Sequence, residues 1–117
     1  MTNLQIAHQW FDAFNKHDLE ELLSLYADDA VHYSPKLKIH QPHTHGLIQG
    51  KPALQAWWAD AFSRLPHLHY HILHFTCDDQ RIFMEYIRQN PGEDDMQVGE
   101  VLVIEKGIII SSRVYHS

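Results

Sequence analysis

The chain has 117 residues, 44% of them hydrophobic and 21% charged, enough for one domain with a single sizeable core and too apolar for a disordered chain. Nine Lys and Arg against fifteen Asp and Glu give a formal charge of −6. With the cations scattered and no basic run, this argues against nucleic acid or an anionic membrane as partner. One cysteine, Cys77, excludes an internal disulfide and suits a reducing compartment.

The opening MTNLQIAHQWF has no basic region followed by an apolar stretch, and no run approaches transmembrane length, so a cytoplasmic location is expected. A first helix is predicted over 3–16, capped at Thr2 or Asn3, with Gln5 at capping-box distance and Trp10, Phe11 and Phe14 on its apolar face. Asp18 then caps a short helix over 19–27, whose buried side is Leu19, Leu22, Leu23 and Tyr26. AVHYS (30–34) reads as a short strand stopped by Pro35, and the Pro-, Gly- and His-bearing segment 35–50 as a loop. Pro52 opens a third helix, 52–65, that presents Leu54, Trp57 or Trp58, Ala61 and Phe62. Four antiparallel strands follow: 67–77, 81–89, 96–105 and 108–116. Helices segregated from such a meander make the class α+β, in a single domain over 1–117.

Alternation along the last hairpin puts Val98, Glu100, Leu102 and Ile104 on one face, with Ser112, Val114 and His116 on the matching face of its partner. Glu100 is thus a carboxylate on a mostly apolar face, where an unpaired charge is costly. In the middle hairpin, the turn at 78–80 places Met84, Tyr86 and Arg88 with His69, His71, Leu73 and Phe75. This set is expected to point inward, with Phe83, Glu85 and Ile87 as the rival phase.

The segments LYADDAVHYSP (25–35), HGLIQGKPAL (45–54) and VLVIEKGIIISSRVYHS (101–117) carry a resemblance to the nuclear-transport-factor-2-like superfamily, and within it to the SnoaL-like, polyketide cyclase-like group. The resemblance covers nearly the whole chain. It implies a cone-shaped, curved antiparallel sheet packed on three N-terminal helices (a cystatin-like roll), with a pocket at the open end and often a dimer on the outer face. Members include steroid isomerases, scytalone dehydratase, limonene epoxide hydrolase, polyketide cyclases and proteins without activity, so the fold alone does not choose a reaction. The acid-arginine-acid set of the limonene hydrolase is not matched, since Tyr86, Arg88 and Val114 stand at those places. Nor is the Tyr/Asp pattern of the steroid isomerases, and Ser117 stands where many relatives end in aspartate.

The expected function is a pocket for an apolar or amphipathic small molecule, with acid-base isomerisation, dehydration, cyclisation or hydrolysis as its chemistry. Glu100 or His116 would be the base and Tyr86 or Arg88 the donor to a developing oxygen charge. Tyr33, Trp58, His71, Arg88, Leu102 and Val114 are the expected ligand-binding residues. The competing structural reading is an internal ion pair between Glu100 and Arg88. The alternative functions are a non-catalytic binding or dimerisation module and, third, a metal-assisted enzyme using His43/His45 or His69/His71. A His-x-His pair puts two imidazoles on one face of a strand, but no glutamate follows at a useful spacing, so no metal and no cofactor are expected. A homodimer is expected through the outward residues Val101, Val103 and Ile109, with Phe83 and Ile87.

Overall fold

In a computed structural model that describes residues 1–116, the chain runs α1 (Asn3–Asn15), α2 (Leu19–Ser24), β1 (Tyr26–Tyr33), α3 (Pro35–His40), a 3-10 turn (Pro42–Thr44), β2 (Leu47–Gln49), α4 (Lys51–Arg64), then β3 (His69–Cys77), β4 (Arg81–Gln89), β5 (Met96–Glu105) and β6 (Ile108–Tyr115). Ser117 lies outside the described residues. The Thr2–Gln5 capping box is formed in full, and the Asp18 side chain accepts from the Glu21 backbone, so the two N-terminal helices begin where their polar residues dictate. Ile6, Trp10, Phe11 and Phe14 are all buried, which docks α1 on the sheet through the stripe their spacing forms.

The six strands form one sheet in the order β2-β1-β6-β5-β4-β3. All pairings are antiparallel except the one where β1 joins β6. The sheet is curved and unclosed, with helices packed on one face. On that face lie Ile82, Met84, Tyr86 and Arg88 of β4, Val98, Glu100, Leu102 and Ile104 of β5, and Ser112 and Val114 of β6, every one of them buried. The phase expected for β4, β5 and the end of β6 is therefore the one adopted.

Two bulges change what the sequence led one to expect. In β3 the register shifts between Ile72 and His74, so Tyr70 pairs with Arg88 and Phe75 with Met84 on the inner face. A bulge adds one residue and flips every side chain beyond it. Phase counted back from the turn is right at Phe75 and inverted at His71, which is exposed on the outer side. In β6 the register shifts opposite Val103/Ile104, and Ile109 is fully buried on the inner face rather than facing outward. Segment 35–50 is also more ordered than a loop: Ser34 caps α3, and β2 extends the sheet beside β1. The region read as the end of α2 is instead the start of β1, with Tyr26 buried as expected.

Gly46 joins the 3-10 turn to β2 with φ +87°, and a Cβ there would lie 2.7 Å from the Tyr33 ring and 3.2 Å from the Ser34 carbonyl oxygen. Gly46→Ala is therefore expected to cost about 1–3 kcal/mol in urea unfolding through backbone strain and this clash. Unchanged stability would show that this segment does not hold β1 in place.

Candidate functional site

Between the inner face of the sheet and helices α3 and α4 lies a cavity of about 270 Å³. That is at the small end for a small-molecule site. Trp10 and Phe14 of α1, Trp57 and Trp58 of α4, and Tyr70 and Tyr86 of the sheet form its aromatic wall. Its polar groups are His32, Arg88 and Glu100 on the strands, Ser34 and His116 just past the ends of β1 and β6, and Lys36, His40, Arg64 and Glu93.

Glu100 is 1% exposed. The Tyr86 hydroxyl donates to its Oε1 at 2.8 Å, while Oε2 has no hydrogen-bond partner among the described residues. Burial raises the carboxyl pKa from 4.5 to about 7, and the Tyr86 hydrogen bond offsets only part of that rise. The internal ion pair with Arg88 is not formed. The Arg88 guanidinium instead bonds Glu93 Oε1 at 3.1 Å, on the turn between β4 and β5. Tyr86 in turn is held by ring stacking on Tyr70, with centroids 4.3 Å apart, and its own pKa is driven well up by burial and by Glu100. Its one proton is committed to Glu100, so it positions the carboxyl rather than acting as a free donor to a ligand.

A second polar group was missed in the sequence. Trp10 Nε1 donates to the Tyr26 hydroxyl at 3.0 Å, the Tyr26 hydroxyl donates to Ser112 Oγ at 3.0 Å, and Ser112 Oγ lies 2.6 Å from His32 Nδ1. An indole nitrogen only donates, and each hydroxyl has one proton. The chain is satisfied when Ser112 gives its proton to Nδ1, which makes Nδ1 the acceptor and leaves the ring proton on Nε2. Burial lowers the His32 pKa from 6.5 to about 4, so the ring is neutral at physiological pH. A neutral imidazole is thus set into the cavity wall, against the Trp58 ring with centroids 5.1 Å apart. Its strand is two away from that of Glu100, about 10 Å across the sheet at the backbone. Only strand parity could have revealed it: Ala30, His32 and Ser34 share the buried face, and Tyr33 falls on the other.

Of the residues expected at the site, Trp58, Tyr86, Arg88, Glu100, Val114 and His116 do line this cavity. Tyr33 does not: it is on the opposite side of β1, under the Arg113 guanidinium 4.1 Å from its ring centroid. Leu102 is fully buried in the core but is not part of the cavity wall. His71 is replaced by Tyr70, for the bulge described above. The His-x-His pairs lie away from the cavity. His43 lies in the 3-10 turn, His45 is left-handed at φ 56°, and His69 and His71 are exposed. Among the described residues no three His, Cys, Asp or Glu side chains form a group able to hold a metal.

The two buried groups make opposite contributions to stability. His32 has a folded pKa below its unfolded one, so its contribution is present above about pH 6.5 and is lost as pH falls toward about 4. Glu100 has a folded pKa above its unfolded one, so its contribution is present below about pH 4.5 and is lost as pH rises through about 7. Glu100→Gln keeps an acceptor for Tyr86 and removes the charge. It should gain roughly 3 kcal/mol over wild type in urea unfolding at pH 8 and at most about 1 kcal/mol at pH 5. Equal gains at both pH values would contradict a raised Glu100 pKa. Ser112→Ala strands the Tyr26 hydroxyl and His32 Nδ1 and should cost about 1–3 kcal/mol, with a changed Nδ1/Nε2 proton distribution in imidazole nitrogen NMR.

No curated protein matches the chain significantly. Solved structures match it over nearly its whole length. A SnoaL-like protein of unknown function from Burkholderia thailandensis has a TM-score of 0.88 at 24% identity, covering 97% of this chain and 92% of its own. A putative polyketide cyclase from Sinorhizobium meliloti has 0.80 at 21%, covering 95% and 94%. A hypothetical protein with a ketosteroid isomerase-like fold from Catenulispora acidiphila, in complex with trimethylamine, has 0.77 at 19%, covering 100% and 88%. At these identities the likeness is one of fold. The family model for the SnoaL-like domain matches residues 7–112, and with the curved sheet and helices already described, the chain belongs to the SnoaL-like domain family.

Proposed function

We propose that the cavity binds a small, largely apolar molecule and that Glu100 moves a proton on it, in an isomerisation, dehydration or cyclisation. The observation that carries this reading is a carboxyl buried in an aromatic cavity, anchored by one hydrogen bond and raised to about pH 7, where acid and base forms are both available at neutral pH. In this reading the Glu100 carboxylate takes a proton from a carbon beside a carbonyl and returns it, as the carboxylic acid, elsewhere on the same molecule. The charge that develops on the carbonyl oxygen is met by the Nε2–H of neutral His32. A neutral donor of this kind stabilises the oxygen without protonating it outright. Tyr86 is the positioning residue, because it fixes Oε1, and Val98 and Val114 flank the carboxyl with apolar wall. His116 also lines the cavity, and its place at the end of β6 makes it the second candidate for proton exchange with solvent.

The protein is further proposed to be a homodimer through the outer face of the sheet. Phe83, 36% exposed, and half-buried Ile87, Val101 and Val103 give that face an apolar character that supports the reading. A monomer by light scattering would contradict it. No helix among the described residues is long and apolar enough to cross a membrane.

The catalytic reading is tested by exchange of carbon-bound protons in deuterium oxide, with 2-tetralone as a probe of suitable size. Wild type should accelerate deuterium incorporation beside the carbonyl, with a rate that rises with pH and levels above about 7, since the base is the deprotonated form. Glu100→Gln should lose roughly 100-fold or more. Binding of the ketone without exchange would contradict the catalytic reading and leave a binding module.

A further inference from the structure

The mouth of the cavity has a charge unlike that of the chain. The protein carries a formal charge of −6, yet three of its nine Lys and Arg residues, Lys36, Arg64 and Arg88, line this one cavity. They come from three separate elements: the first turn of α3, the last turn of α4 and β4. No helical repeat or single charged face explains their convergence.

Their partners do not balance them. Arg64 pairs with Asp60 one turn earlier on α4, at 2.7 Å, in an exposed pair. Arg88 bonds Glu93 Oε1 at 3.1 Å, and the side chain of Asn90 also bonds that carboxylate. The Lys36 ammonium has no hydrogen bond or ion pair among the described residues. Its partial burial, and after that repulsion by Arg88 and Arg64, lowers its pKa despite Glu93. Such a cluster is tolerated near water, and it raises the local concentration of anions. Arg88 is 5% exposed, and its guanidinium has five N–H donors, of which Glu93 takes one.

Glu93 shows which headgroup the mouth accepts. It is a carboxylate already seated against Arg88, supplied by the exposed turn between β4 and β5. Beyond the mouth the wall is aromatic, with Trp57, Trp58, Phe14 and Tyr70 suited to a flat apolar body. Resting on the reading of the cavity as a ligand site, we propose that the natural ligand is a small organic carboxylate. Its ring or chain lies inward beside Glu100 and His32, and its carboxylate sits at the mouth among Lys36, Arg64 and Arg88. The arrangement keeps the ligand's own charge away from Glu100, whose proton affinity depends on an uncharged surrounding.

All three tryptophans of the chain line the cavity, so intrinsic fluorescence reports its occupancy directly. Binding of 4-phenylbutanoate is compared with that of its uncharged amide, of 4-phenylbutylamine and of phenylpropylphosphonate. The carboxylate should bind about tenfold more tightly than the amide at low salt, a gap that narrows as ionic strength rises. In the double variant Lys36→Gln/Arg64→Gln, both sites being outside the core, the carboxylate-to-amide ratio should fall below about threefold. Equal binding of carboxylate and amide, preference for the amine, or a gap undiminished in the double variant overturns the proposal while leaving the pocket reading intact. A phosphonate tenfold tighter than the carboxylate overturns the assignment of the headgroup. Binding of none of the four overturns both this proposal and the pocket reading.

Discussion

The Tyr86 hydroxyl and Glu100 Oε1, 2.8 Å apart on neighbouring strands, set the character of the inner face of the sheet. One hydrogen bond is far less than an ionised carboxylate enjoys in water. The group answers by holding its proton to about pH 7. Everything around it preserves that state. Arg88, the one cation on the same face of β4, is engaged by Glu93 at the mouth, and Tyr70 stacks on Tyr86, whose hydroxyl meets Glu100. A closer cation would lower the pKa and make Glu100 an ordinary ion-pair partner.

On the far side of the cavity the same economy of protons operates in the opposite sense. Trp10, Tyr26, Ser112 and His32 form a one-way chain because its first member can only donate. The packing that builds the core also holds the hydroxyl that His32 meets, since Trp10 and Tyr26 are among the largest fully buried side chains. Core and site are therefore not separable layers here: α1 contributes a wall of the cavity, a stripe of the core and the first donor of the chain. A buried neutral histidine and a buried raised carboxyl both reduce stability in some pH range. Groups that cost stability in this way are common at functional sites.

The fold was legible because its signals are local and repeated. Caps at Thr2 and Asp18, the aromatic stripe of α1 and the alternation in β5 each point to the same architecture, and the structure adopts all of them. What was not legible is parity across irregularities. The bulges at Leu73 and Ile110 each shift one strand by a residue, which moved His71 out, Tyr70 in and Ile109 inward. Neither bulge is marked by glycine or proline. The five-residue stretch AVHYS is too short to show its own phase, so nothing in one dimension separates His32 from Tyr33 as the pocket residue. Glu100 was found because a charge in an apolar alternation is visible in one dimension. His32 was not, because its significance lies in Ser112, eighty residues away in the chain.

A half-protonated Glu100 near neutral pH is read most directly by NMR titration of its carboxyl carbon, assigned by comparison with Glu100→Gln. The expected midpoint is about 7, well separated from the other carboxylates. A midpoint near the ordinary value of 4.5 would contradict it.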